Sequence, residues 1–256
     1  MADDLQYPTG AEVIETNRQG LIGRPVDRVD GWAKVTGQAA YSYEIQEWGE
    51  ALCGYIVGAS IARGRITEID VAEAQAAPGV AKVYTYKDMP PQAAFGDPAD
   101  APNKLAAAKP FMISDEVRFF DDPVALVVAD SFENARAAAR LVKVSYAPIA
   151  GDYDFDAGVN QASEVPGHAA NSDIGDFDAA FAAAPVQLDE AYATPAHNHG
   201  QIEPHASLAV WEGERLHLYT SVQLLKAAQM SVAETLLMPR DNVRIVARYI
   251  GGGFGG

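Results

Sequence analysis

Apolar residues in the first half of the chain recur with a period of two over short runs. Residues 54–61 (GYIVGASI) and 64–70 (GRITEID) alternate in this way across a tight turn, and residues 80–86 (VAKVYTY) repeat the pattern. Each run is expected as a strand. Between the second and third, Asp70 followed by Glu73 opens a short helix that Pro78-Gly79 stops. The arrangement then recurs. Residues 124–129 (VALVVA) are continuously apolar, which suits a strand covered on both faces. Asp130 with Glu133 starts a helix whose Ala135, Ala138, Ala139 and Val142 fall at i, i+3, i+4 and i+7, and residues 142–146 alternate again. Two strand–helix–strand passages over 54–146 predict a mixed α/β or α+β domain, and the chain as a whole is expected to be α+β.

The second half reads differently. Residues 88–112 are rich in Pro, Ala and Asp and predict an exposed loop, while residues 147–176 carry Pro148, Gly151, Gly158, Pro166, Gly167 and Gly175, as a surface linker would. Asp176 begins a short alanine-rich helix that ends at Pro185. A further unit then starts. Residues 186–193 alternate as a strand, and residues 207–211 pair with 216–220 across Glu212-Gly213-Glu214-Arg215. Ser221 caps a helix over 222–237 with Leu225, Ala228, Val232 and Leu236 on one face, and residues 243–250 form a strand that runs into GGGFGG. The expected division is an arm (1–23), a first domain (24–149), a linker with a short helix (150–185) and a second unit (186–256). About seventy residues are marginal for a sheet with one covering helix. A glycine loop directly after an apolar strand is expected to continue, as a fragment of a longer chain or with a second polypeptide completing the fold.

Charge and cysteine content narrow the function. Nineteen basic against 35 acidic residues leave a net charge of −16, which repels phosphate backbones and anionic membranes, so neither nucleic acid nor a membrane surface is an expected partner. The single cysteine, Cys53, excludes an internal disulfide and any cysteine-built zinc or iron–sulfur site within this chain; it reads as a small core residue. No apolar run approaches the ~20 residues of a membrane span. The start, Met1-Ala2-Asp3-Asp4, has no basic region followed by an apolar stretch, so no secretory signal is expected.

Three places could carry chemistry. The loop at 251–256 offers unhindered glycine amides that could approach a phosphate or a pterin closely; it matches neither GxGxxG nor a P-loop, and a flexible turn is the alternative. In the run 197–205 (HNHGQIEPH), His197, His199, Gln201, Glu203 and His205 share odd parity, so a strand would align three histidines and a carboxylate as in a cupin-type metal site. Gly200 and Pro204 argue instead for an irregular polar segment. Gln223 sits at a strand-to-helix transition, where it is either an exposed first-turn residue or, if residues 220 and 250 are neighbours, part of a site with the glycine loop. Glu44/Glu47 and Asp152/Asp154/Asp156 read as solvated faces, and no Ser/His/Asp or Cys/His nucleophile is evident.

Six stretches, in order, resemble the molybdenum-binding large subunit of the xanthine dehydrogenase/aldehyde oxidase family. They are GRPVDRVDGWAKVTGQAAYSYE at 23–44, YIVGASIARGRI at 55–66, APGVAKVYT at 77–85, PVALVVADSFENARAAARLV at 123–142, IEPHASLAVWEGERLHLYTSVQ at 202–223 and MPRDNVRIVARYIGGGFGG at 238–256. The likeness is greatest to the bacterial three-subunit aldehyde oxidoreductases. It implies an α/β hammerhead domain over about 24–149, followed by the opening part of a molybdopterin-binding domain. It also implies that Gln223 lies near the metal's apical oxo ligand, and that Gly253, Phe254 and Gly255 offer backbone amides to the cofactor. Metal ligands would come from the pterin dithiolene rather than from His197, His199 or His205, so no residue here is a metal ligand. The cofactor implied is molybdopterin, in its cytosine dinucleotide form, with FAD and 2Fe-2S clusters on partner subunits. The whole subunit would oxidise aldehydes to carboxylic acids, or hydroxylate N-heterocycles, with water as the oxygen source. The family's catalytic glutamate lies near the C-terminus of a full subunit, so no residue here takes that role and this chain alone is expected to be inactive. The compartment implied is the cytoplasm, or the periplasm by co-export with a signal-bearing partner. Two alternatives stay open: a non-catalytic scaffold piece of a split enzyme, and a histidine-ligated metal hydrolase or dioxygenase.

Overall fold

In the computed structural model, residues 23, 25–93, 110–163 and 174–255 are described. The expected arm, residue 23 apart, and most of the expected loop at 88–112 lie outside them. Among the described residues the first helix is the single turn α1 (Gly31–Val35), followed by strands β1 (Cys53–Gly58) and β2 (Gly64–Asp70), helix α2 (Ala72–Gln75) and strand β3 (Val80–Thr85). A two-residue strand β4 (Glu116–Val117), then β5 (Pro123–Ala129), helix α3 (Phe132–Ala139) and β6 (Lys143–Pro148) complete the first half. Each strand–helix–strand passage splits its strands between two sheets. One has the order β1-β5-β3 and the other β4-β2-β6, and every pairing in them is antiparallel. That makes this half α+β rather than parallel α/β.

One core joins the two sheets. Val83, Val124, Ala125 and Val127 come from the first, Ile66, Ile69 and Val117 from the second, and Ala74 and Ala138 from the helices. β5 is central, and its unbroken apolar run follows from burial on both faces. Helix α3 starts at Ser131, whose hydroxyl accepts the Asn134 N–H at 3.3 Å, while Asp130 accepts the Asn134 side-chain amide at 2.7 Å. Its small residues Ala135, Ala138 and Ala139 are buried, which lets the helix lie close to the sheet. Behind β4, the buried Asp122 carboxylate takes both Nε and Nη2 of Arg118 at 3.0 Å and also the Arg118 backbone N–H at 2.9 Å. In the linker, Asp154 and Asp176 each accept the backbone N–H three residues on and so start the short helices α4 (Phe155–Gly158) and α5 (Phe177–Ala183).

The second half holds a three-stranded sheet of order β7-β8-β9, made of strands β7 (Ser207–Glu212), β8 (Arg215–Thr220) and β9 (Val243–Val246). β7 and β8 form the expected hairpin, and helix α6 (Leu225–Thr235) carries the chain across so that β9 runs parallel to β8. Leu216, Tyr219, Ala233 and Val243 are buried beneath that crossover. Three expectations are corrected here. Residues 186–193 are not a strand: Val186, Leu188 and Tyr192 are exposed, and no strand among the described residues pairs with them. Alternation marks a strand-compatible surface, but the backbone becomes one only against an edge. Helix α6 begins at Leu225 rather than at 222, because Ser221 uses its hydroxyl elsewhere. β9 stops at Val246, four residues short of the expected end. No helix among the described residues is long and apolar enough to cross a membrane.

Candidate functional site

Because β8 and β9 are parallel, with Tyr219 opposite Val246, the segments that follow them leave the sheet at the same end. That end is where an open sheet leaves a crevice for ligands. A cleft of about 100 Å³ lies there, lined among others by Gln201, Glu203, Ser221, Gln223, Ile250 and Gly253.

Glu203, only 8% exposed, organises the cleft. Its Oε2 accepts the Ser221 hydroxyl at 2.5 Å and the Gly251 N–H at 2.8 Å, and the neighbouring Ile202 N–H donates to the Gly251 carbonyl at 3.2 Å. The end of β8, the run 201–205 and the glycine loop are thereby tied together. Glycine at 251 follows from this closeness, since a Cβ there would sit 2.3 Å from the Glu203 Cβ and 2.9 Å from its backbone nitrogen. At 253 the neighbour is a side chain instead of backbone: a Cβ would meet Gln223 Nε2 at 2.7 Å and Cδ at 2.8 Å. The structure thus brings Gln223 and Gly253, distant in sequence, into direct contact. Phe254 has φ 52° and is 73% exposed; its ring turns back over Gly252, whose Cβ position lies 2.7 Å from Phe254 Cε2. Gly255, at φ 92°, approaches His199.

The histidine-ligand reading fails on geometry. Residues 193–206 contain no strand, as Gly200 and Pro204 favour, so the shared parity never becomes a shared face. Glu203 is committed to Ser221 and Gly251, and Gln201 Nε2 donates to His205 Nε2 at 2.5 Å. Among the described residues no group of three or more His, Cys, Asp or Glu could hold a metal ion. Cys53 is a half-buried free thiol at the start of β1, paired in register with Ala129.

Two features of the site were not expected. Gln201 lines the cleft, but its Oε1 is buried out of reach of solvent and has no hydrogen-bond partner among the described residues. The N-terminal segment also reaches the back of the site. Lys34 Nζ donates to the Ile250 carbonyl at 2.9 Å, the Trp48 indole N–H donates to the Tyr219 hydroxyl at 2.8 Å, and Tyr41 meets Tyr249 edge to face. Glu47 is exposed, as expected of a solvated face, and also pairs with Arg248, whose hydrogen bonds hold its carboxyl below the ordinary range. A separation of about two hundred residues leaves no local pattern for such contacts. The signal that could have found Glu203 is a lone carboxylate between Ile202 and Pro204, just ahead of an alternating strand.

The residues present fit a pterin-type group in one respect that the geometry itself provides: the Gln223 carboxamide and the backbone of Gly252 and Gly253 line one cleft, and a Cβ at 253 would press on that carboxamide. Residues 36–149 match the aldehyde oxidase and xanthine dehydrogenase a/b hammerhead domain, and residues 161–256 match the molybdopterin cofactor-binding domain. The chain is similar to the aldehyde oxidoreductase molybdenum-binding subunit PaoC of Escherichia coli K12, with 41% identity over 250 residues, 97% of this chain and 33% of that protein. It is also similar to xanthine dehydrogenase of Oryza sativa subsp. japonica, with 28% identity over 96% of this chain and 18% of that protein. Among solved structures, the aldehyde oxidoreductase of Desulfovibrio gigas superimposes with a TM-score of 0.65 and 26% identity, covering 88% of this chain and 26% of that one. The chain therefore spans a third or less of the length of these three relatives. With both domain matches in sequence and the fold in agreement, the chain belongs to the aldehyde oxidase and xanthine dehydrogenase family.

Proposed function

We propose that this chain supplies one wall of a molybdopterin site in a molybdenum hydroxylase. In the complete protein the reaction would be oxidation of an aldehyde to its acid, or hydroxylation of an N-heterocycle, with water as the oxygen source. The observation that carries the reading is the contact of Gln223 with Gly253 at the mouth of the β8/β9 cleft. When bound, molybdopterin supplies the redox centre at which substrate oxidation occurs. The chain's own residues bind and orient. The amides of Gly253, Phe254 and Gly255 are donors suited to an anionic group, and preorganised amides hold such charge without reorganising. Gln223 adds a neutral carboxamide able to donate and accept without displacing a metal ligand. None of these groups serves as a proton-transferring base, and that role falls to no residue of this chain.

The same reading places the cytosine dinucleotide form in the site and FAD and 2Fe-2S clusters on partner subunits that accept the electrons. The compartment would be that of the partners, cytoplasmic or periplasmic by co-export. The test is elemental and pterin analysis of the complete protein beside its Gln223→Ala variant. The expected result is stoichiometric molybdenum and pterin in the parent and a loss of about tenfold or more in molybdenum retention in the variant, the range seen when groups around a metal site are removed. A parent without molybdenum, or a variant that retains all of it, contradicts the proposal.

A further inference from the structure

The peptide unit that delivers the glycine loop is gripped from both sides. Ladder pairing between β8 and β9 ends at Val246, so residues 247–250 reach the cleft without it. At the Ile250–Gly251 peptide, the carbonyl accepts the Lys34 ammonium at 2.9 Å and the N–H donates to the Glu203 carboxylate at 2.8 Å. A cation therefore sits on the negative end of the peptide dipole and an anion on its positive end, and both hydrogen bonds are of the charge-assisted class. Each charged group is itself fixed. Lys34 bridges to Asp30 at 2.9 Å, four residues back on the same face of α1, and Asp30 is held in turn by Arg28. Glu203 is fixed by Ser221 at the end of β8. Arg248 with Glu47, and Tyr249 with Tyr41, hold the two preceding residues.

We propose that Lys34 and Glu203 are positioning residues that lock the plane of the Ile250–Gly251 peptide and so set the direction in which the following glycine amides face the cleft. The clamp is a property of this chain; that the amides face molybdopterin rests on the function proposed above. A backbone dipole held between opposite charges resists rotation about its flanking torsions, and rotation there would swing every amide after it. Neither group need touch the ligand.

The clamp is read by amide hydrogen exchange in the complete protein, with the Gly251 and Ile202 amides as reporters and those of Ala125 and Val127 in β5 as reference. The variants are Lys34→Met, Lys34→Arg, Glu203→Gln and the double variant Lys34→Met/Glu203→Gln. Lys34→Met should speed exchange at the two reporters by about tenfold or more, the scale of one lost charge-assisted bond, and leave β5 unchanged. Lys34→Arg should restore protection. The double variant should fall short of the product of the single effects, because both act on one peptide. Unchanged reporters, a uniform rise at reporters and reference alike, failure of arginine to rescue, or strict additivity would each overturn the proposal. Molybdenum content of the parent is read separately. A parent that lacks it but shows the coupled exchange removes the functional reading and leaves the clamp standing; a parent that contains it with indifferent reporters removes the clamp alone.

Discussion

Replacing Gly251 with alanine perturbs the cleft at its tightest backbone approach. The new Cβ would fall 2.3 Å from the Glu203 Cβ, against an ordinary carbon–carbon contact of about 3.5–4.0 Å, and 2.9 Å from the Glu203 backbone nitrogen. The obstacle is a Cβ and a backbone atom rather than the end of a flexible side chain, so the segments must separate by an ångström or more. Full overlap would cost about 1–3 kcal/mol as overpacking. Separation instead sacrifices the charge-assisted bond from Gly251 to Glu203, about 1.5–3 kcal/mol, and weakens the one from Ile202. Either route gives about 1–3 kcal/mol, which corresponds to several degrees of melting temperature at roughly 2–4 °C per kcal/mol for a domain of about 150–250 residues. Gly200→Ala is the matched control, since nothing lies within 4 Å of its Cβ position and its backbone is not left-handed. Scanning calorimetry of the complete protein should show the first transition several degrees lower in Gly251→Ala and unmoved, or slightly raised, in Gly200→Ala. Equal melting of the two variants would refute the claim that Glu203 and Gly251 are closely seated.

Other outcomes follow from the same geometry. Gly253→Ala meets the carboxamide end of the Gln223 side chain rather than backbone, so its stability cost should stay below about 1 kcal/mol while molybdenum content of the complete protein falls; unchanged content contradicts the site. Asp122→Ala removes three bonds to Arg118 from a buried carboxylate and should cost about 2–4 kcal/mol in a denaturant titration, with Asp122→Asn intermediate. Asp30 is drawn down to about 2 by hydrogen bonds from Arg28 and then Lys34. A depressed carboxyl contributes above its ordinary value near 3.8 and loses that contribution as pH falls toward 2, so the protection factor at Gly251 should be flat between about pH 5 and 8. A decline within that window would show that another group controls the loop.

What was legible in the sequence was the part written in local pattern. β1, β2, β3 and β5 stand close to where alternation or continuous apolarity put them, because each strand's side chains meet a core in place. Residues 186–193 carry an equally clear alternation and stay irregular, since a strand also needs an edge that no sequence window displays. The start of α6 was misplaced for a chemical reason: a serine before a helix usually caps it, but the Ser221 hydroxyl is spent on Glu203, eighteen residues away. The contact of Gln223 with the glycine loop was readable only as a condition on whether two strands were neighbours, and the parallel pairing of β8 and β9 meets it. The contacts that fix Glu203 and Lys34 were beyond reach. Their roles rest on partners 18 to 216 residues away, and a charged residue on a short helix looks the same whether it faces water or a distant carbonyl.

The central claim is that Gln223 and the amides at 253–255 face a molybdopterin in the β8/β9 cleft. An experimental structure of the complete, metal-replete protein tests it most directly. The account predicts pterin density in that cleft, with the Gln223 carboxamide and at least one of the three amides within hydrogen-bond distance of it. Pterin bound at another surface, with the cleft filled by protein side chains, would contradict it.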